Sequence, residues 1–182
     1  IGSNDGILLK FFQDKGFKVL GIDPALNIAK VAESRGIPTL SDFFNVSLAE
    51  QIIKKYNQAE IIMANNVIAH IDDYHSLFQG IKNLLSPNGV FIMEAPYIVD
   101  MFENLTYDTI YHEHLSYLSI RPLIKLFGKY DLEIFDIKIM PSQGQSLRLF
   151  VRHKKSGEIS PNVDFWVAKE LECKLNEKSS YF

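Results

Sequence analysis

The sequence has a single cysteine, Cys173, in 182 residues. That excludes a disulfide framework and any cysteine-based zinc site within the chain, and it fits a reducing compartment. No apolar run reaches the length of a bilayer span, and no basic segment leads into an apolar one at the start. A cytoplasmic protein with no membrane partner is the expectation. Lys and Arg number 19 against 22 Asp and Glu, for a formal net charge of -3, and the cations gather into no stripe. Nucleic acid is therefore not expected as a partner. Internal repeats and low-complexity tracts are also missing. What the chain does have is 47% apolar residues, enough for one globular domain with a substantial core.

Apolar spacing lays out alternating strands and helices. Helices are expected over residues 6–15, 27–35, 48–56 and 74–85, and strands over 17–22, 37–40, 60–64 and 90–94, the last entered through the turn Pro87-Asn88-Gly89. Such alternation argues for a parallel, doubly wound sheet. Ile1-Gly2 reads as the end of a strand that is central in such sheets, so residues supplying its body are expected before Ile1 in the native protein. The last two strands, 132–140 and 146–152, are separated by only residues 141–145. A parallel crossover needs a dozen residues or more, so this pair must be antiparallel. A mostly parallel Rossmann-like sheet closed by an antiparallel C-terminal hairpin is the pattern of class I methyltransferases rather than of dinucleotide-binding domains. Residues 1–153 are expected to form that domain. Residues 154–182 would then be a linker and a helix, over 163–175, that covers the domain or leads into another one.

The opening Ile1-Gly2-Ser3-Asn4-Asp5-Gly6 sits where a strand turns into a helix. Gly2 and Gly6 allow positive φ and close backbone approach, while Ser3, Asn4 and the helix N-terminus offer donors to a carboxylate. Asp23 follows Gly6 by 17 residues, at the carboxyl end of the second strand, where its two oxygens suit ribose hydroxyls. The same residues also serve as turn glycines and a helix cap. The fingerprint Gly-x-Gly-x-x-Gly is absent, and with the hairpin this favours S-adenosyl-L-methionine over a dinucleotide. Asp42 and Phe43 follow the third strand, where an acid can accept from an adenine amino group and an aromatic can cover the ring. The competing reading makes Phe43 and Phe44 core. Asn65-Asn66 end the fourth strand, where ligands bind in such sheets and where Asn also ends strands for local turn reasons.

Tyr111-His112-Glu113-His114 is a candidate proton-transfer cluster. A carbon nucleophile must lose a weakly acidic proton before methylation, and a His that titrates near neutrality is a suitable base. A Tyr hydroxyl or second His can donate to the developing enolate oxygen, and Glu113 can orient a ring. If the segment is extended, His112 and His114 share a face. If it is helical, Tyr111 and His114 are neighbours. A metal site and a plain surface turn compete with this reading, although no further ligand stands at obvious spacing. His70 and His75 flank the acidic turn Asp72-Asp73. An O- or N-methyltransferase acting on a small metabolite and a non-catalytic module of the same fold are the alternatives.

Four segments carry a resemblance: residues 1–6, Asn65-Asn66-Val67-Ile68-Ala69-His70-Ile71, Glu94-Ala95-Pro96-Tyr97, and Tyr111-His112-Glu113-His114-Leu115-Ser116-Tyr117. In these the chain resembles the C-methyltransferases that act on nucleotide-linked keto-deoxysugars, and Asn4 in place of a middle glycine is usual for them. The resemblance implies a His base, carried over to His114, with Tyr111 and Glu113 assisting. It also implies deprotonation beside a keto group of a nucleotide-sugar substrate and methylation of the resulting enolate. Members of that family add a Cys-rich zinc-binding domain before this region and a substrate-holding domain after it. Neither fits this sequence, so the chain reads as the central cofactor domain of a longer protein. Gln143 and Gln145 stand where relatives show His-Gly-Gly before the Ser, a departure that bears on the identity of the sugar.

Overall fold

The computed structural model describes residues 1–141, 145–154, 157–175 and 177; Gln143 and Gly144 lie outside them. The chain divides into two compact units. The first comprises residues 1–58 and 75–84, and the second residues 59–74 and 85–182.

The first unit holds α1 (Ile7–Gln13), β1 (Gly21–Ile22), α2 (Leu26–Ser34), β2 (Thr39–Leu40), α3 (Val46–Tyr56) and the body of α4 (Tyr74–Leu84). β1 and β2 pair in parallel. The strand expected over 17–22 is thus only its last two residues. The reason lies in its partner: the Pro38 carbonyl takes the Gly21 N–H at 2.8 Å, but Pro38 has no N–H to extend the ladder backwards, so pairing begins at Thr39. The opening segment runs beside β1, with the Ser3 N–H on the Ile22 carbonyl at 3.0 Å. Asn45 caps α3, accepting from the Leu48 N–H at 2.9 Å. Gly80 of α4 lets the start of α3 come close, since a Cβ there would stand 3.1 Å from the Asn45 carbonyl oxygen.

The second unit is built on a four-stranded sheet of β3 (Ala59–Asn65), β4 (Leu85–Pro96), β5 (Leu132–Met140) and β6 (Ser146–His153), in the order β3-β4-β6-β5. β3 and β4 are parallel, whereas β6 is antiparallel to both β4 and β5. The final hairpin is therefore antiparallel, as its short connection demanded. β4 starts five residues earlier than its sequence suggests. Ala59 pairs with Leu85 and Ile61 with Val90, so Pro87-Asn88-Gly89 bulges out within the strand instead of preceding it.

Two helices of this unit were not foreseen, α5 (Ile98–Glu103) and α6 (Ile120–Gly128). α5 is too short to show a period. α6 buries Ile120, Leu123 and Phe127 and sets the Phe127 ring 6.3 Å from that of Phe91 on β4. Under it Ala64, Met93, Leu149 and Ile137 line up across the four strands and are almost wholly buried. Each large side chain so buried contributes about 1.5–3 kcal/mol. α7 (Pro161–Glu172) starts two residues before the expected helix because Pro161 fits its first turn and Ser160 caps it. It packs against β5 and α6 within the unit. Among the described residues no helix is long and apolar enough to cross a membrane.

Candidate active site

In the first unit, the segment from Gly2 to Gly6 is a run of left-handed residues: Gly2 has φ 62°, Asn4 φ 52° and Gly6 φ 78°. Asn tolerates that region better than other side-chain-bearing residues, which accounts for Asn4 standing where a glycine is common. Gly6 is held to glycine twice over, by its φ and by Ile37, whose side chain lies 3.0 Å from where a Cβ would sit. Asp23 is tied into the loop. Its Oδ2 accepts the Asn4 N–H at 2.8 Å and its Oδ1 the Ala25 N–H at 3.0 Å. An ionised carboxylate has about four acceptor positions, so both oxygens keep capacity for further donors. The Arg35 guanidinium from the end of α2 bonds to Asp5, and it holds that carboxyl below the usual carboxylate range. The Ser3 hydroxyl oxygen is buried with no hydrogen-bond partner.

Asp42 and Phe43 belong to the same unit and both are exposed; Asp42 accepts the Phe43 N–H at 2.7 Å. The reading of both phenylalanines as core holds for one of them. Phe44 is core, within 3.1 Å of a Cβ built on Gly80, while Phe43 is 73% exposed.

In the second unit, Asn65 closes β3 and Asn66 turns away with φ 54°. The Asn66 N–H is held by the Glu94 carbonyl at 2.7 Å, and its side-chain Oδ1 is buried and unpartnered. Such an atom costs about 1–3 kcal/mol unless something donates to it. Asn65, Glu94 and Arg148 stand opposite one another across β3, β4 and β6. Buried Glu94 receives the Arg148 Nε–H at 2.7 Å and the Asn65 amide at 3.5 Å. No motif announces this row, because its members meet only through strand register.

Residues 111–114 form a turn in which the His114 N–H returns to the Tyr111 carbonyl at 3.1 Å, so Tyr111 and His114 are the neighbouring pair. Their rings lie 4.2 Å apart and the Tyr111 hydroxyl is 3.0 Å from His114 Nε2. His114 Nδ1 lies 2.8 Å from the Thr109 carbonyl oxygen. A carbonyl only accepts, so Nδ1 carries the proton. In the neutral ring Nε2 is then the bare nitrogen, and the Tyr111 O–H donates to it. His112 and Glu113 point elsewhere: they face each other at 3.9 Å with 91% and 64% of their side chains exposed. The His70 ring, unassigned from the sequence, lies 4.9 Å from that of His114, and Tyr117 meets it edge-on at 6.3 Å. The loop is fixed by the Leu115 N–H on the Ala69 carbonyl at 2.8 Å. Tyr74 bonds to Ser116, and burial raises the Tyr74 phenol. Among the described residues no group of three or more His, Cys, Asp or Glu is arranged to hold a metal ion.

Comparison with known proteins gives three findings. A family profile described as a methyltransferase domain matches residues 1–137. The chain is 36% identical over 170 residues to the C-methyltransferase NovU of Streptomyces niveus, covering 93% of this chain and 40% of that protein. The chain thus spans less than half the length of that relative. Among solved structures it is similar to an S-adenosylmethionine-dependent methyltransferase of Anabaena variabilis, with TM-score 0.64 and 18% identity over 84% of this chain and 75% of that one. It is also similar to the O-methyltransferase of a Brevibacillus brevis trans-AT polyketide synthase multienzyme, solved with S-adenosyl-L-homocysteine. There the TM-score is 0.63, with 12% identity over 95% of this chain and 71% of that one. At these identities the structural likeness speaks for the fold.

Proposed function

The chain belongs to the methyltransferase domain family and has its Rossmann-like α/β fold; on that premise we propose that it is an S-adenosyl-L-methionine-dependent C-methyltransferase acting on a nucleotide-linked keto-deoxysugar in the cytoplasm. The observation that carries the reading is the His114 pair, a ring with Nδ1–H committed to Thr109 and a bare Nε2 backed by a Tyr hydroxyl. The identity to NovU, a C-methyltransferase by name, supports transfer to carbon.

The residues present fit the cofactor. Gly2 and Gly6 give a backbone that a ligand can approach without meeting a Cβ, and Ser3 brings a buried hydroxyl with no partner. Asp23 is the acceptor for the ribose hydroxyls, Asp42 and Phe43 take the adenine, and Asn65 and Asn66 take the ammonium end, to which the orphaned Asn66 Oδ1 is suited. When bound, the cofactor supplies an electrophilic methyl group.

The chain's own chemistry is proton transfer. His114 Nε2 removes the proton from the carbon beside the substrate ketone, and the ring becomes an imidazolium whose Nδ1–H stays on the Thr109 carbonyl. Tyr111 holds the ring in register before this step; its O–H leaves the Nε2 lone pair as the substrate proton arrives there and turns to donate to the developing enolate oxygen. Glu113 and His112, both exposed, are assigned to the rim of the site.

The test is to incubate the chain with methyl-13C-labelled S-adenosyl-L-methionine and a nucleotide-linked keto-deoxysugar and to read the product by carbon NMR. The label should appear as a methyl group on carbon. Its appearance as a methoxy signal would replace the reading with O-methylation. In that case His114 would be deprotonating a hydroxyl.

A further inference from the structure

The loop that carries His114 ends where α6 begins. Ser119, which precedes the first residue of that helix, makes no side-chain cap, so the first N–H groups need other acceptors. They find one 50 positions further along the chain. Glu170 of α7, only 3% exposed, accepts the Ile120 N–H at 2.6 Å and the Arg121 N–H at 2.9 Å. The same Oε2 that takes the Ile120 N–H also accepts the Tyr97 hydroxyl at 3.2 Å. Burial, with the Glu170 carboxylate beside it, pushes the Tyr97 phenol well above its usual range, so it keeps the proton it donates.

Tyr97 is joined to the loop a second time. It bridges in parallel to Leu118, and the Ile98 N–H donates to the Leu118 carbonyl at 3.1 Å. One buried carboxylate therefore gathers the exit of the loop, the start of α6 and the tip of β4. Position 119 already holds Ser, a preferred capping residue that makes no cap here, so a cap for α6 alone would not call for Glu170. Burying a charge from a distant helix costs far more, and the difference goes into joining three elements at one point.

We propose that Glu170 is a positioning residue for His114, and that α7 is the strap through which it acts. The inference rests on the reading of His114 as the base. The loop has anchors at Leu115, Ser116 and Leu118, and Glu170 fixes the residue that follows its end. With all of them in place, the turn presents the Thr109 carbonyl to Nδ1 and leaves Nε2 bare. Without Glu170 the α6 end loosens, the Thr109 contact lengthens, and the ring reverts to the mixture of tautomers of an unconstrained imidazole.

The experiment uses Glu170→Gln and Tyr97→Phe in the full chain. Nitrogen NMR of the His114 ring, recorded without cofactor or substrate, reads the tautomer, and steady-state kinetics read kcat apart from the KM for S-adenosyl-L-methionine. The wild-type ring should be the Nδ1–H form. Glu170→Gln should add an Nε2–H population and lower kcat by about ten- to a hundred-fold, with the KM nearly unchanged. Tyr97→Phe should shift both in the same direction by less, and the double variant should be no worse than Glu170→Gln because both act through one oxygen. Variants that melt lower yet keep the wild-type tautomer and kcat would overturn the proposal and leave Glu170 as a helix cap. A tautomer response in the variants, with no substrate proton exchange by the wild type, would sink the base reading while the strap stands.

Discussion

The glycine loop of the first unit and the histidine loop of the second solve the same problem by opposite means. Residues 2–6 are set mainly by backbone torsions, with left-handed Gly2, Asn4 and Gly6, and Asp23 and Arg35 of the same unit draw the segment in. Residues 109–119 contain no glycine and are set by anchors on four other segments of their unit, at Ala69, Tyr74, Tyr97 and Glu170. A loop built from torsions presents N–H groups and can be rigid alone. A loop built from long-range anchors can place one ring to within a hydrogen bond, but only while every anchor holds. The first design suits binding and the second suits proton transfer.

Substitutions in the two loops put that contrast to the test. The largest effect is expected for His114→Asn, which removes the bare nitrogen: methyl transfer should fall by about 10²–10⁴-fold with cofactor affinity unchanged, as read by turnover and calorimetric titration. Gly6→Ala should do the reverse. A Cβ at φ 78° presses on Ile37 and costs about 1–3 kcal/mol, measurable as a lower melting temperature and weaker cofactor binding, while the His114 tautomer stays as it was. Tyr111→Phe removes one hydroxyl and leaves the ring stacked, so kcat should fall by about ten-fold with little change in stability.

The smallest effect is expected for Arg35→Gln. The Arg35 hydrogen bond lowers the Asp5 carboxyl, so in the wild type that contribution to loop order is present above the usual carboxylate value and lost only as pH falls through the lowered one. The variant should lose cofactor affinity at a higher pH than the wild type when a titration is carried downwards from neutrality. Identical acid profiles would mean that this exposed pair does nothing for the loop.

How much of this could be read in the sequence follows the same division. The antiparallel hairpin was legible because five intervening residues leave no room for a crossover. The glycine loop and Asp23 were legible because torsion and strand-end position are local properties. Tyr111-His112-Glu113-His114 stood out as a cluster, but its spacing fits both an extended and a turned segment, and only the fold pairs Tyr111 with His114 and sends His112 and Glu113 outwards. His70 beside His114, Glu94 beneath Arg148, and Glu170 at the start of α6 are products of register and docking, which no short window encodes. α6 is the exception: Ile120, Leu123 and Phe127 at helical spacing were there to be read.

Solvent exchange measures whether His114 takes a proton from carbon. The chain would be held in deuterium oxide with a nucleotide-linked keto-deoxysugar and S-adenosyl-L-homocysteine, so that no methyl group can move. Deuterium should enter the carbon beside the ketone with the wild-type chain and not with His114→Asn. Exchange that survives in His114→Asn, or none in the wild type while methylation proceeds with S-adenosyl-L-methionine, would rule out His114 as the base.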